Sequence, residues 1–290
     1  MKTLTSFVLT VSLLVAAAFF SPQKASAVIL DSGIDPANLG KGDWIYYISM
    51  ATNKLGGNVA SVTNIQSFMA YEKSKGVDYI IVKSGTGSTN FNGGGSSPQF
   101  NSNLVAQAHA AGLKIFSYTR SYGNDVPGEI SLATTDLAMG ADGFVIDAES
   151  EWESGAQGTN GPSRALQLGA GIKAAYPTRF LAHAPFPYIS YHASLPYKEF
   201  GFYCDAVMPQ DYWYSIGKTP AQMVADMDTE WRNWQNSLTG QWTNSIKPIV
   251  PIGQADTASI PASEITDFVN ALKNDLNPAT SGGYQGVNGW

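Results

Sequence analysis

The sequence predicts an α/β protein, a (β/α)8 TIM barrel. Three observations predict it. Short apolar or aromatic runs alternate with longer segments of helical period. Eight such runs can be placed, and repeated β-α units force a parallel sheet that closes at eight. Residues 28–290 also match the roughly 250 residues that a barrel of this kind uses. The sequence stops at the eighth run, so the barrel is expected without its final helix. A doubly wound open sheet is the competing architecture, but no G-x-G-x-x-G follows the first strand.

The elements are read in order. Strand one is placed at Asp43–Met50, in Asp-Trp-Ile-Tyr-Tyr-Ile-Ser-Met, and a helix at about Ser61–Lys75 is stopped by Gly76. Strand two is Tyr79–Lys83. The glycine-rich loop Gly85–Ser97 follows it and is placed to cover a site at the strand ends. A helix at Asn103–Ala111 stops at Gly112, strand three is Leu113–Thr119, and a helix over Pro127–Met139 ends at Gly140. Strand four is Gly143–Ala148, followed by a helix at Ser163–Ala175 and strand five at Arg179–Ala184. Tyr188–Phe202, rich in proline and aromatics, has room for a short helix. Strand six is Ala206–Asp211, and Pro220 starts a long helix to Ser237. Strand seven is Lys247–Ile252, a helix spans Ala262–Leu276, and Gly286–Trp290 is the eighth strand.

Residues 1–27 read as a cleaved secretory signal. Lys2 precedes the apolar run Phe7–Phe20, and Ala25-Ser26-Ala27 gives the small-x-small cleavage pattern. The run is shorter than the ~20 residues of a spanning helix, which disfavours a membrane anchor. A secreted protein, with no membrane association after cleavage, is therefore expected. The mature part, residues 28–290, is expected to be one domain. The formal net charge of −6 and the lack of basic runs argue against a nucleic-acid partner. Cys204, the one cysteine, rules out an intrachain disulfide and reads as a buried thiol. His109, His183 and His192 show no metal-ligand spacing, and no G-x-S-x-G elbow occurs, so neither a metal nor a cofactor is expected. The sequence does not fix the oligomeric state; a monomer is the expectation.

The chemistry concentrates on strand four, Asp142-Gly143-Phe144-Val145-Ile146-Asp147-Ala148-Glu149. Alternation points Val145, Asp147 and Glu149 the same way, and the two acids fall at the C-terminal end, where barrel enzymes place their catalysts. Two same-facing carboxyls in a partly dry site raise the pKa of one of them, which is what a general acid needs. The structural alternative is a solvated strand end. Glu151 and Glu153 are read as loop surface. Trp44, Tyr118, Trp152, Tyr212, Trp213 and Trp290 lie near strand ends, where two or three are expected to stack on the apolar face of a sugar. Trp231 and Trp234, at i, i+3, read as helix packing, and His183 is balanced between a structural and a substrate-binding role.

This strand resembles the signature of family 18 glycoside hydrolases, Asp-Gly-x-Asp-x-Asp-x-Glu. Asp142, Gly143, Asp147 and Glu149 match it, while Val145 replaces the middle Asp and Ala148 the usual aromatic. The resemblance implies Glu149 as the acid, and Asp147 as the carboxylate that orients an N-acetyl group acting as internal nucleophile. Met208-Pro209-Gln210-Asp211-Tyr212-Trp213 is similar to the family's sixth strand in two registers. Met208 with Asp211 fits Met-x-Tyr-Asp, and Gln210 with Tyr212 fits Gln-x-Tyr. Trp290 is similar to the tryptophan that floors the sugar site. A weaker likeness is to family 25 lysozymes, through the Asp-x-Glu strand end and Val77–Lys83.

The reading is a hydrolase of an N-acetylated polysaccharide such as chitin or peptidoglycan. Glu149, Asp147, Asp211 and Tyr212 are the catalytic candidates. Gln210, Trp213, Tyr118, His183, Trp290 and Trp44 are the substrate-binding ones. If Asp211 supplies the second carboxyl, an ordinary two-carboxylate mechanism applies. The alternative, motivated by Val145 and Gln210, is a glycan-binding protein that has kept the barrel and lost turnover.

Overall fold

The computed structural model describes residues 33–53, 62–153, 161–255, 260–274 and 286–289. Residues 1–27, expected to be a leader, and Trp290 lie outside them. The described chain is mixed α/β, built on a curled, mainly parallel sheet of TIM-barrel type. Its strands are β1 (Gly40–Ile45), β2 (Tyr79–Thr86), β3 (Thr89–Asn90), β4 (Lys114–Ser121), β5 (Gly143–Ala148) and β6 (Phe180–His183). They continue as β7 (Ala206–Val207), β8 (Gln210–Asp211), β9 (Ile252–Gly253) and β10 (Gly286–Gly289). Neighbours run β7-β6-β5-β4-β2-β1-β10-β9-β8, with β3 folding back antiparallel on β2. The two ends of this path, β7 and β8, are separated only by Met208 and Pro209.

The helices of the described residues are α1 (Ile48–Asn53), α2 (Val62–Ser74), α3 (Ser102–Ala110), α4 (Val126–Ala138), α5 (Gly161–Ala175), α6 (Tyr197–Tyr203), α7 (Trp213–Ile216), α8 (Pro220–Ser237) and α9 (Ala262–Asn274). Their starts follow from capping chemistry. Asn101 accepts from Leu104 N, Asp125 from Gly128 N, and Thr219 and Gln222 form a capping box ahead of Pro220. Gly112 (φ 76°) and Gly140 (φ 102°) take the left-handed turns that end α3 and α4.

Strand alternation sorts the core into two layers. Trp44, Ile81, Phe116, Tyr118, Val145, Phe180, Ala182, Ala206 and Met208 pack together inside the curl. The residues between them in sequence, such as Val82, Ile115, Phe144, Ile146, Leu181 and Val207, pack outward against the helices. Each fully buried Phe or Leu contributes ~2 kcal/mol.

Three sequence expectations are displaced. The first strand starts at Gly40, and Ile48–Asn53 is a short helix (α1) where strand was expected. Gly40 and Gly42 have poor strand propensity, but pairing with β2 and β10 carries them into the sheet. Strand six breaks at Pro209, and strand seven shrinks to Ile252–Gly253 plus a bridge from Ile249 to Val207. Pro248 and Pro251 have no N–H for a ladder there. By contrast, β5 and α8 have the boundaries expected from sequence.

Gly143 sets how closely β5 approaches β6. A Cβ there would meet the Phe180 carbonyl oxygen at 2.6 Å and Phe180 Cβ at 2.7 Å, and both are too rigid to yield cheaply. Gly143→Ala is expected to destabilise the protein by about 1–3 kcal/mol. A urea titration checks it, and a midpoint within error of the parent would refute this packing account.

Candidate active site

The same alternation builds a cavity of about 410 Å³ over the C-terminal strand ends. Aromatic stacking surface and charge meet there: Trp44 comes from β1, Lys83 from β2, Tyr118 and Arg120 from β4, Asp147 from β5 and Gln210 from β8. Glu149, just past β5, and Glu151 complete the acidic side, and Tyr212 lines the rim. The parallel register sets Arg120 directly beside Asp147 and Tyr118 beside Val145.

Asp147 is the buried member of the acidic pair, while the Glu149 side chain keeps 18% of its exposure. Gln210 Nε2 ties them together. It donates to Asp147 Oδ1 at 3.0 Å, to Glu149 Oε1 at 3.4 Å and to the Ala184 carbonyl at 2.9 Å. Burial raises the Asp147 pKa well above the ordinary range and the Glu149 charge adds to this, while Arg120 and Lys83 oppose it. Asp147 therefore holds a proton where a solvated carboxyl would not.

Arg120 forms the second tie. Its Nη1 is 3.0 Å from Glu149 Oε2, and its Nη2 is 2.8 Å from Glu151 Oε1. Glu151 is thus a wall of the pocket, not the loop surface expected from sequence. The chain carrying Arg120 is held in turn by Glu129 of α4. Its carboxylate accepts from Ser121 Oγ, from Tyr122 N at 3.1 Å and from Gly123 N at 2.7 Å. Trp152, expected among the sugar platforms, is instead core: its Nε1 donates to the Ser121 carbonyl at 2.9 Å.

The stacking surface is Trp44 against Tyr118, with ring centroids 4.5 Å apart. Lys83 is buried with its Nζ 4.0 Å from the Tyr46 ring centroid and 4.8 Å from that of Phe91. Phe91 belongs to the glycine-rich segment after β2, and Thr86 from the end of β2 also reaches the cavity. Lys83, Arg120 and Glu151 carry no sequence motif. The available clue was position, since Lys83 and Arg120 share the inward parity of their strands.

Three candidates are not brought to the cavity, and strand parity explains two of them, Asp211 and His183. Asp211 follows inward-facing Gln210 and so points out, fully buried, with both carboxyl oxygens unpartnered among the described residues. Burial, then the nearby Asp228 charge, raises its pKa well above the usual range. His183, between Ala182 and Ala184 of the inner layer, also points out, stacked on Phe200 at 5.7 Å. Burial lowers its pKa to about 3, so it is a neutral core residue. Trp213 packs on Phe268 of α9 at 5.1 Å and donates to Glu264 Oε2 at 2.8 Å. Asp142, the first residue of the strand-four signature, lies at the opposite end of β5 from the acids. There it accepts from Ile115 N at 2.9 Å and pairs with His109 at the same distance. Trp231 packs in the helix layer as its spacing suggested, donating to the Pro187 carbonyl at 2.9 Å, and Cys204 is buried. Among the described residues there is no cluster of three metal-ligand side chains, and no helix long and apolar enough to cross a membrane.

No family model and no curated protein matches the chain by sequence. Solved structures do match in fold. A GH18 chitinase from Pseudoalteromonas aurantia has a TM-score of 0.57 at 16% identity, covering 86% of this chain and 93% of its own. An endo-β-N-acetylglucosaminidase from Cordyceps militaris has a TM-score of 0.52 at 10% identity, covering 87% and 81%. A putative deoxyribose-phosphate aldolase from Toxoplasma gondii has a TM-score of 0.50 at 14% identity, covering 88% of each. At these identities the likeness is one of fold. None of the three is a family 25 lysozyme, and that likeness remains one of sequence.

Two measurements test the electrostatics. Arg120→Met removes a cation that favours the Asp147 carboxylate, so the Asp147 pKa should rise further. Carboxyl 13C NMR reads it, and an unmoved titration would remove Arg120 from the account. For Asp211, a raised folded pKa means that its stabilising contribution is complete below the unfolded value of 3.8 and is lost as pH rises. Asp211→Asn, neutral throughout, should therefore gain stability over the parent as pH rises from 4 to 7, seen as a growing Tm difference. A constant or shrinking difference counts against a buried neutral carboxyl.

Proposed function

We propose that this protein is a secreted glycoside hydrolase acting on an N-acetylated glycan, with Glu149 as general acid and Asp147 as its supporting carboxyl. In this reading the barrel is closed, residues 28–290 form one domain, and residues 1–27 are the leader. Two facts support closure: β7 and β8 are fragments of one strand that pair with β6 and β9, and Val207 bridges Ile249.

The observation that carries the catalytic reading is the tie between the two acids. Carboxyls that share one amide nitrogen at 3.0 and 3.4 Å, and that are hydrogen-bonded to each other, are immediate neighbours. A two-carboxylate mechanism needs them about 5–5.5 Å apart for retention or about 6.5–9.5 Å for inversion, with the scissile bond between them. Asp211, the other candidate for that role, faces away from the cavity. The arrangement suits a substrate that brings its own nucleophile, as the family 18 resemblance implies. The proton that Asp147 holds at rest passes through its hydrogen bond to Glu149, the more accessible acid, which gives it to the glycosidic oxygen and leaves Asp147 as the carboxylate. The substrate's N-acetyl oxygen attacks the anomeric carbon as that bond breaks, with Asp147 against the amide. Water then opens the cyclic intermediate and gives its proton to Glu149. Trp44 and Tyr118 offer an apolar floor for the sugar face. Gln210 and Tyr212 line the same space, and Lys83 and Arg120 supply donors for hydroxyls. Neither a cofactor nor a metal enters this scheme, and the partner is the carbohydrate, not nucleic acid or membrane. The chitinase and endo-β-N-acetylglucosaminidase likenesses are of fold and are consistent with this substrate class.

Two observations favour the second reading, a glycan-binding protein without turnover. Val145 stands where the signature has its middle Asp, and Glu149 is ion-paired to Arg120. The deciding experiment is product release from chitin oligosaccharides, peptidoglycan and other bacterial and plant glycans, by the parent and Glu149→Gln. The expected result is cleavage by the parent and a loss of about 10²-fold or more in the variant, with binding retained. Binding without cleavage by the folded parent would select the second reading.

A further inference from the structure

The cavity continues past Glu149. On the other side of Glu149, Gln210 and Tyr212 lies a groove of about 310 Å³, walled by Phe186, Pro187, Tyr188, Tyr191, His192 and Ile216. Its character is opposite to that of the acidic cavity. Three polar groups of its wall, on Tyr188, His192 and Ser215, are engaged with the protein. Tyr188 Oη meets Asp226 Oδ2 at 3.4 Å and Met223 Sδ at 3.5 Å. His192 pairs with Glu153 at 2.8 Å and stacks on Phe186 at 3.7 Å. Ser215 Oγ accepts from Gln254 Nε2 at 2.8 Å. What faces outward is ring and aliphatic surface, including Tyr191 at 71% and Ile216 at 38% exposure. A contiguous exposed apolar wall of this kind marks a binding surface.

We infer that this groove holds the leaving group of the substrate, and that the leaving group is an aromatic aglycone. The inference rests on the acid role proposed for Glu149, since the bond protonated there must have one side in each compartment. A sugar in the groove would bring several hydroxyls to a wall that is mainly ring and aliphatic surface. A planar aromatic ring matches the paired rings of Tyr188 and Tyr191, whose centroids are 5.1 Å apart. Hydroxyls are matched on the other side, where Lys83, Arg120 and Gln210 line the cavity.

The test uses 2-naphthol and 2-naphthyl β-N-acetylglucosaminide as probes, followed by saturation-transfer NMR on the full chain and on Tyr191→Ser/Ile216→Ser. Both substituted residues are partly or largely exposed, and circular dichroism verifies folding. The expected result is saturable binding of both probes at millimolar concentration or below, weakened about tenfold or more in the variant. Naphthol binding that the variant leaves unchanged, or no binding of either probe at millimolar concentration, overturns the inference. Hydrolysis rates separate it from the reading beneath it. Cleavage of oligosaccharides without any variant-sensitive preference for the naphthyl glycoside overturns the groove and keeps Glu149 as acid. Variant-sensitive naphthol binding without hydrolysis of any substrate supports the groove as an aromatic-binding site and overturns the acid.

Discussion

Burying the Asp147 carboxyl is the constraint on which the rest of the site depends. An isolated carboxylate in a dry interior is costly, and a protein meets that cost with a proton, a hydrogen bond or an opposite charge. All three are gathered here by strand pairing. Gln210 arrives from β8, Arg120 from the register-matched position of β4, and Lys83 from β2. The cavity holds three acids, Asp147, Glu149 and Glu151, against two cations, Lys83 and Arg120. One proton on Asp147 leaves equal numbers of each charge. The raised Asp147 pKa and the double ion pair of Arg120 are therefore two aspects of the same balance.

That balance needs a rigid frame. Arg120 sits at the end of a strand whose following loop would be free to move, were it not tied by two backbone N–H groups and one hydroxyl to Glu129. Trp152, packed edge-on to Phe200 at 4.8 Å, fixes the same loop through the Ser121 carbonyl. The α4 helix thus positions the guanidinium without touching the cavity, and Asp125 at its cap sets where the helix begins. Positioning by rigid elements is what holds such groups to the tolerance that catalysis requires.

The fold and the acidic pair were legible because they rest on local signals. Apolar runs alternating with helical period gave nearly every element, and β5 ends in two acids whose alternation is countable. Other features were hidden for identifiable reasons. Arg120 and Lys83 lie within strands, and only the sheet register brings them to Asp147. Asp211 and His183 look chemical in sequence, but each occupies the outward parity of its strand, and the inner layer shows it: Ala182, Ala184 and Met208 frame their positions. For Asp211 the alternation runs on through Pro209, from Ala206 and Met208 to Gln210, and it is this parity, not residue type, that decides its direction. Glu129 stands in the first turn of a helix, where an acid is ordinarily read as complementing the dipole. Its burial and its bonds back to Ser121, Tyr122 and Gly123, in the turn before the helix, are tertiary facts that helical periodicity does not encode.

The fold leaves the reaction open, because a chitinase and an aldolase share it with this chain at similar TM-scores. The chemistry must be argued from what the strand ends present. A Schiff-base aldolase needs an amine that can lose its proton and reach a carbonyl. The one lysine lining the cavity, Lys83, instead has its ammonium engaged over two aromatic faces, those of Tyr46 and Phe91. A paired acid held by an amide, over an aromatic floor, is suited to moving one proton beside a sugar. The polar cavity and the apolar groove meet at Glu149, so the molecule changes chemical character at the residue where a glycosidic oxygen would be protonated. That coincidence is what a glycosidase needs: one side recognises hydroxyls, the other accepts what is released, and the acid stands between them.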